Sequence, residues 1–305
     1  MANTTDATIT SNNKEQQVAK KSESLWSDMW YALRQNRPAM ISLGVICLLA
    51  IIAIVTTIWP EVLPYNPYKQ NMPQSFQPPS AEHWFGTDQQ GRDLFSRVLI
   101  GTRISLTVGF SAVAISLSVG VTLGAIAGYK GGKFDTIIMR CMDIMLSVPS
   151  ILLAIAFMAA LGRGIDKAII AIGLVSIPEY ARIVRSQVLA VKANDYVAAA
   201  RVIGDGNLRI IFRHILPNVL PSIIVRATLG ISSAILDAAA LGFLGLGVQP
   251  PEAEWGDMLG RGRNYIFSAP YAMLFPGLAI TITVLAFNLL GDGIRDALDP
   301  KARKR

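Results

Sequence analysis

The sequence predicts an all-α membrane protein that crosses the bilayer several times, and three observations carry that prediction. Hydrophobic residues fill 52% of the 305 positions and charged ones only 16%, where soluble proteins average about 25% charged. The apolar residues gather in runs close to the ~20 residues that cross ~30 Å of hydrocarbon. Lys and Arg, 28 against 21 Asp and Glu, cluster between alternate runs. The net charge of +7 therefore reads as an orientation signal facing anionic lipid, with no nucleic-acid partner implied.

Residues 1–22 are rich in Thr, Asn, Gln, Lys and Ser and read as a disordered tail without a cleavable signal. Leu25, Trp26, Met29, Trp30 and Leu33 then recur at helical spacing beside Arg34 and Arg37. Residues 23–38 read as an amphipathic helix on the membrane surface, or as an extension of the first span. Segment 39–59 has 21 residues and no charge, which makes it the first span. A polar, Pro-rich stretch at 60–101 is a long loop on the far side. Five further spans at 104–129, 144–161, about 165–182, 217–241 and 271–290 form a core over 102–295, with a connection at 183–216 and a tail at 296–305. Six spans place both termini on one side. That side carries nineteen Lys and Arg in its flanks against eight opposite, so both termini are expected in the cytoplasm.

Within the spans, Gly120, Gly124 and Gly128 put a smooth stripe on one helix face. Such a stripe lets a neighbouring backbone approach closely, or lets helices slide past one another. Arg226 and Asp237 lie at lipid depth eleven positions apart, near one face and ~16 Å apart along the axis, too far for a direct ion pair. Arg226 lines a hydrated pathway or pairs with an acid on another helix, and Asp237 joins that pathway or sits at the outer interface. Cys47 and Cys141 are expected as buried thiols, not a disulfide.

Catalytic material is sparse. The two histidines, His83 and His214, sit in different connections and read as single surface residues, leaving no His-based metal site or Ser-His-Asp triad at membrane depth. Ala127 stands five residues before the Gly132-Lys133 pair, where the first Gly is required, and Phe134 follows it, so the G-x-x-x-x-G-K-[ST] phosphate loop fails. The chain is not expected to be an enzyme. The most unusual segment is RIVRSQVLAVKANDYVAAARVIGDGNLRIIFRHILPNV, from Arg182. An Ala-rich helix over 195–203 stops at Gly204-Asp205-Gly206, Asn207 caps the next helix, and Pro217 opens the fifth span. The product is a helical knob that fits a groove on a partner, or a basic connection anchored to lipid.

AAARVIGDGNLRIIFRHILP resembles the EAA loop of bacterial ABC-importer permeases, written E-A-A, three residues, G, nine residues, I-x-L-P. Ala199, Ala200, Gly204, Leu216 and Pro217 match that pattern, while Ala198 stands in place of the Glu and His214 in place of the Ile. The lost acid removes one salt bridge to the ATPase. HWFGTDQQGRDLFSRVLIGTRISL, GYKGGKFDTIIMRCMDIMLSVPS, AALGFLGLGVQPPEAEWGDML and FNLLGDGIRDALDPK are similar, in order, to the second permease subunit of dipeptide and oligopeptide importers, over roughly residues 25–300.

The resemblance implies a type I ABC-importer permease fold with six transmembrane helices and a cytoplasmic EAA coupling helix, in a bacterial inner membrane. It implies a homologous second permease, two ATP-binding subunits that hold ATP and Mg, and a periplasmic or lipid-anchored peptide-binding protein; this chain binds no cofactor itself. Ala198, Ala199, Ala200, Gly204, Asp205, Leu216 and Pro217 would couple to the ATPase, and the loop at 249–257 would face the binding protein and the path. Cargo would be dipeptides or short oligopeptides, moved by alternating access, with nickel and glutathione carried by relatives of similar pattern. A secondary transporter is the alternative in another class; it calls for acidic relays near the midplane and often for inverted repeats, and the sequence offers neither. An intramembrane enzyme ranks below it, for want of a nucleophile and base.

Overall fold

The computed structural model describes residues 25–298, so the predicted tail at 1–22 and the last seven positions of the predicted C-terminal tail lie outside the described residues. Ten helices follow one another: α1 Leu25–Gln35, α2 Arg37–Ile58, α3 Leu94–Lys130, α4 Gly132–Leu146, α5 Ser150–Leu161, α6 Ile165–Lys192, α7 Asp195–Val202, α8 Asn207–Phe243, α9 Trp255–Gly262 and α10 Tyr271–Leu298. Among the described residues the one strand-like pairing is an isolated bridge between Thr87 and Asp93.

Four helices, α2, α3, α8 and α10, are long and apolar enough to cross a membrane, and α4 with α5 makes a fifth if that bent pair is one span. The third predicted span, 144–161, is therefore corrected. It is broken at Ser147-Val148-Pro149, with the two helices bent by 93°. Pro149 has no N–H to continue the ladder and pushes Val148 out of helical geometry. The fourth span corresponds to α6, which reaches ten residues beyond the predicted 182 and carries Asp166, Lys167, Glu179, Arg182 and Arg185 along its length. Asn36 separates α1 from α2 and caps the latter by accepting the Ala39 N–H at 3.1 Å. Leu33 packs into a small cluster with Ala39 and Leu290.

The second span begins ten residues before the predicted start. Asp93 caps α3 by accepting the Ser96 N–H at 2.8 Å, and its other oxygen takes His83 Nδ1 at 2.8 Å. His83 is thus buried, which corrects the expectation of a surface histidine: the loop folds back over the start of α3 and encloses it. The two thiols also depart from expectation, since Cys47 and Cys141 are both exposed on this chain. Cys47 lies within the first span, where an apolar group needs no protein interior to escape water.

The centre of the bundle is the pairing of α3 with α6, α8 packing on both and α10 on α8 and α2. Gly120, Gly124 and Gly128 lie along the α3–α6 contact. A Cβ on Gly124 would stand 2.9 Å from Val184 Cβ, and one on Gly128 2.9 Å from the Arg185 carbonyl oxygen. This is the close-approach role of a small-residue stripe. Gly124→Val is expected to destabilise the folded chain by ~1–3 kcal/mol through overpacking, read as a lowered Tm of the purified protein. Gly44, whose Cβ would meet nothing within 4 Å, provides the control: Gly44→Ala should leave Tm unchanged, and an equal loss at both positions would contradict the packing assignment.

Candidate functional site

Two regions gather the residues singled out by the sequence. The first is at the end of the bundle where α3 finishes and α8 begins. Ala200 and Val197 of α7 are buried against Val188, Ile210, Ile215 and Val219, while Ala198 and Ala199 face outward. The Ala-rich sequence makes a good helix former, and Gly204 ends it at φ +97°. The Asp205 N–H returns to the Ala200 carbonyl at 3.1 Å and the Gly204 N–H to that of Arg201 at 3.1 Å. These two bonds are the Schellman pattern that closes a helix on a left-handed residue.

Asp205 then bridges forward, accepting from Arg209 Nη1 at 3.2 Å and from His214 Nε2 at 3.1 Å. Those two partners hold its carboxyl below the usual range. Asn207 does not cap the next helix as expected; Gly206 occupies that position, and the Asn207 amide oxygen accepts from Tyr129 OH at 2.8 Å instead. Tyr129 also receives Lys192 Nζ on its carbonyl at 2.5 Å, so the turn is tied to the ends of α3 and α6. A π-helical turn, Ile210–Ile215, leads to Leu216, half-buried, and Pro217, exposed. Pro217 has no N–H for the Arg213 carbonyl, and the ladder relaxes to i→i+5 there. Val202, Ile203, Leu208 and Phe212 stand exposed on the outer surface of this segment, Val202 at 88% and Ile203 at 84%.

The second region is a cavity of about 430 Å³ in the bundle, walled by α3, the α4–α5 break, α6 and α8. Arg226 and Asp237 both line it, as do Glu179, Ser150, Ser176 and Ser233. Arg226 forms an ion pair with Glu179 of α6 and lies over the Tyr180 ring, 5.5 Å from its centroid. In the sequence Glu179 is one charged position inside the fourth predicted span, about 165–182. Its role as the partner of Arg226 depends on α6 packing against α8.

The opposite end is closed by the long loop and the 244–270 connection. Arg97, 1% exposed, donates to the carbonyls of Pro67 at 2.9 Å and Glu252 at 3.3 Å, joining the two. Glu254 caps α9 with both carboxylate oxygens, accepting from the Gly256 and Asp257 N–H groups at 2.8 Å each. Burial pushes its carboxyl up to about 7. With the folded value above the unfolded one, the native state holds the extra proton. Its stabilisation is full below about 4.5 and is lost as pH rises to about 7. Stability is therefore expected to fall by on the order of 3 kcal/mol between pH 5 and pH 8, and Glu254→Gln to flatten that profile. Identical melting profiles for the two proteins would refute it. Among the described residues no three of His, Cys, Asp and Glu come together as metal ligands.

Comparison with known proteins places these features in a family. Residues 120–304 match the model for the binding-protein-dependent transport system inner membrane component, and residues 24–79 that for the N-terminal TM domain of oligopeptide transport permease C. The dipeptide transport system permease protein DppC of Alkalihalophilus pseudofirmus is 50% identical over 92% of this chain and 91% of its own length. The oligopeptide transport system permease protein OppC of Bacillus subtilis is 42% identical over 95% and 94%, and the glutathione transport system permease protein GsiD of Pectobacterium atrosepticum 45% over 91% and 92%. Among solved structures, an inward-facing conformation of the MetNI methionine ABC transporter aligns with TM-score 0.57 at 21% identity, covering 68% of this chain and 98% of that one. That likeness concerns the fold.

Proposed function

The chain belongs to the binding-protein-dependent transport system inner membrane components, and from that membership we propose that it is the membrane-spanning permease subunit of an ATP-driven importer of dipeptides or short oligopeptides. The observation that carries the reading is the likeness to dipeptide and oligopeptide permeases over nearly the whole chain. ATP and Mg are bound by two separate ATPase subunits, a homologous permease completes the pathway, and a peptide-binding protein delivers cargo to the outer loops. The chain itself is non-catalytic, crosses a bacterial inner membrane six times and keeps both termini in the cytoplasm, as the Lys and Arg asymmetry favours.

The geometry supports a division of labour. The exposed apolar residues beside Gly204 suit a groove on an ATPase subunit, since a patch of this kind on a helical knob is a binding feature. Ala198, Ala199, Ala200, Gly204, Asp205, Leu216 and Pro217 belong to that contact or to the turn that shapes it. Motion of the ATPase pair enters at α7 and is handed to α3 and α6 through Tyr129, whose bonds to Asn207 and Lys192 leave the turn little independent freedom. The glycine-packed α3–α6 pair then moves as one body, and the cavity walled by it and α8 opens to alternate sides. Arg226 and Asp237 line the translocation pathway.

The test is gentle extraction of the tagged chain from its native membrane, identification of stoichiometric partners, and reconstitution in liposomes. Copurification with a second permease and ATPase subunits, and ATP hydrolysis stimulated by loaded binding protein, are expected. Glutathione serves as competitor to rank it against dialanine. A solitary chain that transports without ATP would overturn the reading in favour of a secondary transporter.

A further inference from the structure

The cavity holds one charge that the fold leaves unanswered. Arg226 is occupied by Glu179, whereas Asp237, on the same helix and partly buried, has no hydrogen bond or ion pair among the described residues. The lining thus carries two carboxylates and one guanidinium, a surplus of one negative charge. A bare carboxylate at such depth is costly unless a cation or donors reach it. Ser233, one helical turn from Asp237, also lines the cavity and offers a hydroxyl on the same face. The volume of about 430 Å³ lies within the ~300–1,000 Å³ of small-ligand sites. Eleven positions of helix separate Asp237 from Arg226, ~16 Å along the axis, close to the reach of a four- or five-residue extended peptide.

We propose that Asp237 receives the α-ammonium group of the peptide cargo, with Arg226 at the other end of the same wall within reach of the carboxylate of a four- or five-residue peptide; a dipeptide engages Asp237 alone. This assignment rests on peptide import as the function. It names main-chain termini as the feature read inside the membrane, which leaves side chains free to vary.

The complete importer, purified with its binding protein and reconstituted in proteoliposomes, is tested with dialanine and with isobutyryl-alanine, in which a methyl of similar size replaces the ammonium. The ratio of the two uptake rates is compared between wild type and Asp237→Asn. Any preference of the binding protein is common to both preparations and cancels. Wild type is expected to favour dialanine at least tenfold more strongly than Asp237→Asn does, and Asp237→Glu to retain most of the preference, which separates charge reading from loss of fold. An unchanged ratio, including equal slowing of both cargoes, overturns the proposal while peptide import stands. Absence of ATP-driven uptake of any peptide by wild type overturns the import reading, and this inference with it.

Discussion

Gly204→Val is expected to uncouple the importer, lowering peptide uptake about five- to hundredfold while leaving the chain folded in the membrane. Gly204 sits at φ +97°, and a Cβ there would meet nothing within 4 Å, so the substitution acts through the backbone and not through a clash. A β-branched residue at positive φ is a strained outlier. Strain of about 1–3 kcal/mol is enough to shift the turn to another conformation, losing the two bonds that close α7. The exposed residues Val202 and Ile203, next to the turn, would then be presented at a different angle to the ATPase subunit. Gly206→Ala is the matched control, because Gly206 has an ordinary φ of −69° and equally open surroundings. Peptide-stimulated ATP hydrolysis and uptake should fall for Gly204→Val and stay near wild type for Gly206→Ala. Normal coupling in the valine variant would show that α7 is not the lever.

Arg226→Ala is expected to reduce uptake about ten- to hundredfold, from ~1.5–3 kcal/mol for a lost hydrogen bond between charged groups, and to change cargo preference. Two terms combine. Glu179 loses its partner, and the cavity is left with two carboxylates and no cation. The stability part is small, since the Glu179 side chain is 50% exposed and water in the cavity screens it. The transport part is larger because a negative lining repels the carboxylate end of any peptide. Glu179→Gln with Arg226→Ala in one chain should recover part of the loss. If the single variant transports dialanine at the wild-type rate with the same preference, Arg226 has no part in the pathway.

Much of the local architecture was legible because it is written in short-range pattern. Four-residue spacing of small residues puts Gly120, Gly124 and Gly128 on one face whatever that face meets. The Gly204-Asp205-Gly206 turn was legible for the same reason, since a residue tolerant of positive φ must follow a helix that stops sharply. Asn207 was misplaced because its choice between capping and reaching Tyr129 depends on where α3 ends, 77 positions earlier in the chain. His83 was misread because a polar loop is normally wet, and this one folds over the start of α3 to trap the imidazole beside Asp93.

The sequence by itself determined what depends on neighbours within a turn or two: the helical class, the lipid-compatible runs, the glycine-terminated end of α7, and the family, whose strings are contiguous. Only the tertiary structure decided the 93° break between α4 and α5 as a wall of the cavity, the pairing of Arg226 with Glu179, and the isolation of Asp237. Each of these is a contact between helices far apart in the chain. Charge at lipid depth has to find its partner in space, and no periodicity along one helix specifies which other helix will supply it.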